Sequence, residues 1–543
     1  MVRVILLFIL STQIVLSQPF TKSDSLRGTL NGYRSWWDVL HYKLNIIPAV
    51  DSNYLSGTNQ IKFKVIKPGS RLQVDMQEPM QIDSVLFHDK KCNWVKTEFA
   101  YLINLEKAMV PNSLDSIQIF FSGQPREAKF APWDGGISRN KDEKGRHWIG
   151  VSCQGLGASV WWPNKDHLSD EPDLGVYITV TIPDSLSAIC NGKFLYIASN
   201  PDKSKTWHYR VENPINNYDI TLNIGHYITI TDTFLGRKGV LALEYVVLDY
   251  NEEKAEQYIK QEVKRMLHCF EFWFGAYPFY EDGYRIVETS YLGMEHQSAI
   301  AYGNGFANGY IGRDRSSTGI GLLWDFIIVH ESGHEWFGNN ISAADIADNW
   351  IHEGFTTYSE VLFIEHYWNK DSANKYLKGI RSHIRNSQNM IGPYGVNTEG
   401  GDNYEKGANL IHMIRQIINN DSTFRKILVG LNREFGKKTV NSEEIEQFII
   451  KESKINLKPI FNQYLRSTKI PKLNLRQEQD KLLFKWENCN SNFNMPIRVF
   501  VDKKEYWLKP ETKIKELRLD KKAEKIETDA NFYVETILSK LEN

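Results

Sequence analysis

His330 and His334 stand four residues apart in the run HESGH, with Glu331 between them. On a helix this spacing puts both imidazoles on one face, one turn apart, where each can reach a single ion at about 2.0–2.1 Å. Glu331, turned by about 100° from His330, stands beside such an ion without ligating it, which suits a general base for water. The flanking residues LLWDFIIV and WF are apolar, so the helix is expected to be mostly buried, with Ser317 or Thr318 near its start and Gly338–Asn339 at its end. Buried histidines and a buried glutamate need partners, and a metal supplies one. A chance HExxH on a solvated surface suits these flanks poorly.

A catalytic zinc takes three protein ligands and keeps one position open. Glu353, nineteen residues beyond His334, lies in NWIHEGFTTYSEVLFIEHYW, which reads as a second helix. The intervening GNNISAADIAD is long enough to reverse the chain, so this helix can bring Glu353 to the same ion. His352 is the rival ligand, pointing about 100° away from Glu353. Glu360, two turns further on the Glu353 face, is either an acceptor for the second N–H of a ligating histidine or a solvated charge.

HESGHEWFGN followed at this spacing by NWIHEGFTTYSE resembles the aminopeptidase N family of zinc metallopeptidases, the gluzincin type that includes leukotriene hydrolase. The resemblance implies one Zn2+ per chain on His330, His334 and Glu353, with Glu331 activating water. Two further segments carry it. YLGMEHQSAIAYG is similar to the family's G-x-M-E-N segment and places Glu295 where the family binds the substrate's free α-amine, with Gly293, Met294 and His296 as neighbouring substrate contacts. A fixed carboxylate there would recognise a cationic N-terminus and reject peptides lacking one. Met294 is either a wall for the first side chain or a core residue. The chain departs from the pattern at His296, where Asn is usual, and at Leu292, where Gly is usual; His296 is expected to titrate near neutral pH and to reshape a subsite.

DNYEKGANLIHMIRQII is similar to the family's Y-E-K-G-A segment, which implies that Tyr404 stabilises an oxyanion. Asp402 or Asn403 is expected to cap the helix it opens, so that Tyr404 sits at the positive end of the helix dipole. SCQGLGASVWWP matches a T-Q-x-E-A segment less completely: Gln154 takes the glutamine position, a further substrate contact, while Leu156 replaces the acidic residue.

Three kinds of element position these residues. From about Gly28 to Thr233 short alternating runs such as HYKLNIIPAV and VYITVTIPD read as strands. From NEEKAEQYIKQEVKRMLHCFEFWFG, with Asn251 a candidate cap, helical periodicity dominates to roughly Leu465. After Pro471 short strands return. The expected fold is multidomain: an N-terminal all-β domain (18–236), a thermolysin-like, mainly helical α/β zinc domain (237–468) and a small C-terminal β-sandwich (469–543). The long C-terminal helical domain of many family members is missing from this pattern.

Composition narrows the function further. The apolar share of 42% and charged share of 24% suit a globular protein, and a net charge of −1 gives no general attraction to nucleic acid or anionic membranes. Residues 1–17, with Arg3 ahead of an apolar run, read as a secretory signal peptide cleaved before Gln18, and no later run is long enough to span a membrane. An exported protein, periplasmic or secreted, is expected. The five scattered cysteines suggest no metal site. The expected activity is zinc-dependent removal of N-terminal residues from peptides, against two alternatives: a zinc hydrolase acting on an epoxide or as an endopeptidase, and an inactive binding scaffold.

Overall fold

The computed structural model describes residues 20–539; the leader-like segment 1–17 lies outside them. The N-terminal part is built on an eight-stranded sheet whose central strand, Trp37–Ala49, pairs antiparallel with Tyr54–Val65 and parallel with Val176–Pro183. Alternation sets its register: Tyr42, Leu44 and Ile46 enter the core while Lys43 and Ile47 face out. A three-stranded and a four-stranded sheet complete this part. The loop after His147–Ser152, in the four-stranded sheet, carries Gln154.

The next sheet leads into the site. Its order is β1 (Tyr227–Gly236), β2 (Gly239–Leu248), β3 (Tyr284–Glu288), β5 (Ile300–Tyr302), β4 (Gly293–Met294). Between β2 and β3 the expected long helix runs from Glu252 through a π-helical turn at Ala255–Ile259 into α1 (Lys260–Phe274). Asn251 precedes it, but its side chain makes no cap; it donates to Glu288 instead (2.8 Å). Strand β4 lies at the sheet edge, antiparallel to β5, and delivers Glu295 directly after Met294.

Three helices then converge. α2 (Phe326–Gly333) starts later than expected: Asp325, not Ser317 or Thr318, caps it by accepting from the Ile328 amide at 3.0 Å, and a separate 3₁₀ turn occupies Ile320–Leu322. Asp325 also accepts from the Tyr302 hydroxyl and the Asn304 amide. These bonds fix the capping geometry that a sequence window centred on apolar residues overlooks. The helix loses regular geometry at Phe337 and Gly338, where φ reaches 135° at the glycine. α3 (Trp350–Tyr367) is buried on every side from Trp350 to Ile364, so it is an internal helix. α4 (Glu405–Ile418) crosses α3 at a glycine pair: a Cβ on Gly407 would lie 2.7 Å from the Gly354 Cα. Only two glycines allow that approach.

The C-terminal part is a sandwich of a four-stranded and a three-stranded sheet packed around Trp486, Phe493 and Met495. Its core is continuous with that of the helices, and Arg381 binds the carbonyls of Ala530 and Asn531 across the junction.

Candidate active site

His330 and His334 project from one face of α2, and α3 presents Glu353 opposite them. Glu353 Oε2 lies 3.7 Å from His330 Nε2 and 3.4 Å from His334 Nε2, and all three side chains are buried. The bonds behind the imidazoles fix their tautomers. His330 Nδ1 donates to Glu360 Oε1 at 2.7 Å, and His334 Nδ1 donates to the Phe337 carbonyl at 3.1 Å. Each ring therefore turns an Nε2 lone pair toward Glu353. Glu360 is itself held by the Tyr376 hydroxyl at 2.6 Å and is fully buried, which excludes the solvated alternative. Glu353 Oε2 is buried and accepts no hydrogen bond. Two lone pairs and an orphaned carboxylate oxygen around one point fit the donor set of a zinc ion.

The electrostatics agree. Burial disfavours a charged His330, yet the carboxylates of Glu353 and Glu360 outweigh it and hold the ring up at about 10. Burial likewise pushes Glu353 upward, but His334 and His330 overcome it and hold the carboxyl well below the usual range. The centre therefore demands positive charge between these groups, which a cation meets as well as protons do.

His352 is settled by its partner: its Nε2 accepts from the Ala343 amide at 2.7 Å, and burial pushes its pKa down to about 4. It is a neutral structural residue turned away from the centre.

Glu331 lies on the wall of a cavity of about 440 Å³. Burial, helped by the charge of Glu295, pushes its carboxyl up to about 7, against the pull of His330 and His334. Its surroundings explain Gly293: a Cβ there would lie 2.8 Å from Glu331 Oε1, so the edge strand passes over α2 only as glycine. Glu295 is 3% exposed and is gripped by the Gln154 amide and by the Tyr218 hydroxyl at 3.3 Å. Carboxylate oxygens of Glu295 and Glu331 and a ring nitrogen of His334 all lie within 4.8 Å of one another. Tyr404 stands at the N-cap of α4, its ring stacked over His330 with centroids 6.0 Å apart and its hydroxyl directed to Glu353. Burial, reinforced by Glu353, raises its pKa well above the ordinary phenol value, so it is a proton donor.

Gln154, Gly293, Met294 and Tyr404 join the glutamates and histidines on the cavity wall. Met294, 3% exposed, also belongs to the N-terminal hydrophobic core, so it is a core residue that reaches the cavity wall. His296 does not reach the cavity. It is fully buried with neither ring nitrogen bonded, and burial pushes its pKa down to about 3, contrary to the expected near-neutral titration and substrate contact. The helix caps also differ from expectation. Asp402 instead accepts from the Arg385 and Asn386 amides, and Asn403 donates to Glu399. Sequence reasoning missed Tyr218, Trp133 and Glu399, which reach the site from loops with no motif around them.

Residues 261–464 match the family model described as Peptidase family M1 domain. The chain is similar to glutamyl aminopeptidase of Sus scrofa, 20% identical over 498 residues that cover 85% of this chain and 50% of the relative. It is also similar to a probable aminopeptidase 1 of Sulfurisphaera tokodaii, 21% identical over 75% of this chain and 52% of that protein. The chain thus spans about half the length of these relatives. Among solved structures, a mutant M1 zinc metallopeptidase from Deinococcus radiodurans bound to a Tyr-Ser-Ala substrate superposes with a TM-score of 0.65 at 20% identity, covering 80% of this chain and 94% of that one. A two-domain M1 zinc metallopeptidase mutant bound to L-tryptophan gives 0.64 at 21% identity, over 77% and 91%. At these identities the likeness is one of fold.

Proposed function

We propose that the protein is a zinc aminopeptidase that removes the N-terminal residue of peptides. The observation that carries this reading is Glu295: a carboxylate outside the His330–His334–Glu353 group, fixed by two donors, beside the Glu331 base. A peptide α-ammonium bound there sets its first peptide bond next to Glu331, which makes the site an exopeptidase rather than an endopeptidase. Zinc held by His330, His334 and Glu353 supplies Lewis acidity that polarises a carbonyl and lowers the pKa of a water. Glu331 takes the proton of the attacking water and later delivers it to the departing amine nitrogen. The Tyr404 hydroxyl donates to the oxyanion that develops on the former carbonyl; loss of such a donor costs about 2.7–4 kcal/mol of barrier.

Purified protein is expected to release coumarin from free aminoacyl-coumarins in a chelator-sensitive way and to ignore their N-acetylated forms. Glu295→Ala is expected to abolish that preference. Turnover of blocked substrates by the wild type would remove Glu295 from the amine role. No turnover by zinc-loaded protein would point to a scaffold. We also propose export, supported by the residue pattern of 1–17; N-terminal sequencing of the mature protein is expected to begin at Gln18.

A further inference from the structure

Four carboxylates stand on the cavity wall: Glu295, Glu331, Glu353 and Glu399. Among the described residues no lysine or arginine accompanies them on that wall, and an adjoining recess sets Arg27 beside Asp166 and Asp345. Glu295, Glu331 and Glu353 have work in the mechanism above, and Glu399 has none. Its Oε2 accepts from the Asn349 amide at 2.8 Å and from the Asn403 amide at 3.0 Å. Asn349 directly precedes α3 and Asn403 directly precedes Tyr404, so the carboxylate is pinned between the two elements that form the centre. Amide donors fix a carboxylate without cancelling its charge, and Glu399 forms no ion pair among the described residues. The residue as a whole keeps exposed surface, while burial, with Glu353 nearby, raises its carboxyl above the usual value. The result is a positioned, uncompensated negative charge facing the substrate space.

The shape of that space indicates which part of a substrate meets it. Gln154, which grips the amine-binding Glu295, lines both the cavity and the adjoining recess, and so do Ile346, Asn349 and Asn397. Beyond the amine site, therefore, the space continues on the side of Asn349, the partner of Glu399. A peptide with its N-terminus on Glu295 and its first carbonyl near Glu331 can direct its first side chain there. On the rim Trp133, 68% exposed, offers an aromatic face, and such faces attract cations.

We propose that Glu399 is a specificity-determining residue that selects peptides whose N-terminal side chain is cationic, arginine or lysine. The inference rests on the aminopeptidase reading and extends it to a substrate class. A long side chain bearing a guanidinium or ammonium group reaches past the amine site and meets the Glu399 carboxylate in a charge-assisted hydrogen bond. The two asparagines hold that carboxylate in place before the substrate arrives, so little order is lost on binding.

The test compares kcat/KM for arginyl-, lysyl-, leucyl- and glutamyl-coumarins with wild type, Glu399→Gln and Glu399→Lys. Glutamine keeps an oxygen to accept from Asn349 and Asn403 while removing the charge, so it separates specificity from the holding of the loop. In the wild type the arginyl substrate is expected to exceed the leucyl one at least about tenfold, and Glu399→Gln to lower that ratio about tenfold, mainly through KM. Glu399→Lys is expected to move the preference toward the glutamyl substrate. A wild type preferring leucine overturns the proposal. So does a Glu399→Gln protein with an unchanged arginine-to-leucine ratio, including one slowed equally on both, which would show a purely structural role. Absence of turnover on every free substrate by the zinc-loaded wild type would instead sink the aminopeptidase reading, because no ratio would then exist.

Discussion

Glu353 Oε2 accepts no hydrogen bond, yet it sits buried between the imidazoles of His330 and His334. Such an oxygen costs about 1–3 kcal/mol or more unless a cation meets it. The bonds behind the ligands decide how well one is held. Glu360 accepts from both His330 and Tyr376. In Glu360→Gln one of these donors must face an amide N–H₂, and zinc affinity is expected to fall about 10–100-fold, read by competition with a fluorescent chelator. His296 makes a different prediction. Its folded-state pKa of about 3 lies below the value of about 6.5 for an unfolded chain. The unfolded state therefore takes up a proton below pH 6.5 that the folded state refuses. The stability present above pH 6.5 is lost as the pH falls. Between pH 6.5 and 5 the wild type is expected to lose about 1.6 kcal/mol more than His296→Asn, measured by urea unfolding of both proteins at both pH values.

Positions in the helices and the edge strand turn on close approach. Gly354 follows Glu353 by one residue, and Gly407 follows Tyr404 by three, so their contact fixes the distance between Glu353 and Tyr404. Gly407→Ala forces α3 and α4 apart, at an expected cost of about 1–3 kcal/mol in stability. The accompanying fall in kcat is expected to exceed the fall in affinity for a competitive dipeptide inhibitor. A full-rate Gly407→Ala enzyme would show that the helices need not touch there. These glycines also mark what sequence reading reaches. HESGH exposed its own chemistry because ligands, base and helix period lie within a few consecutive residues, whereas the role of Tyr404 in YEKGA came from the family resemblance. The start of α2 escaped it, since the buried Asp325 cap depends on Tyr302 and Asn304 from another strand and loop. His296 misled for a related reason: residue type names a titratable group, but only the packed surroundings say whether water reaches it.

The whole molecule ties the site to global stability. If zinc binds the folded centre and the unfolded chain does not, free zinc at 100 times Kd adds about 2.7 kcal/mol to folding. Chelation is therefore expected to lower the melting temperature by calorimetry, and added zinc to restore it; an unchanged melting curve would mean the centre is filled by protons rather than metal. Broad architecture was legible, because strand alternation and helix periodicity differ sharply along this chain. The rest of the cavity was not, since Trp133, Tyr218 and Glu399 join Gln154 and Glu295 only when the N-terminal sheets and the helices close on each other. The Gln154–Glu295 bond spans 141 residues of chain, and the base, the ligands and Tyr404 come later still. A ribosome must therefore have delivered the sequence through Tyr404 before this cavity can close, and a shorter nascent chain holds only part of its wall.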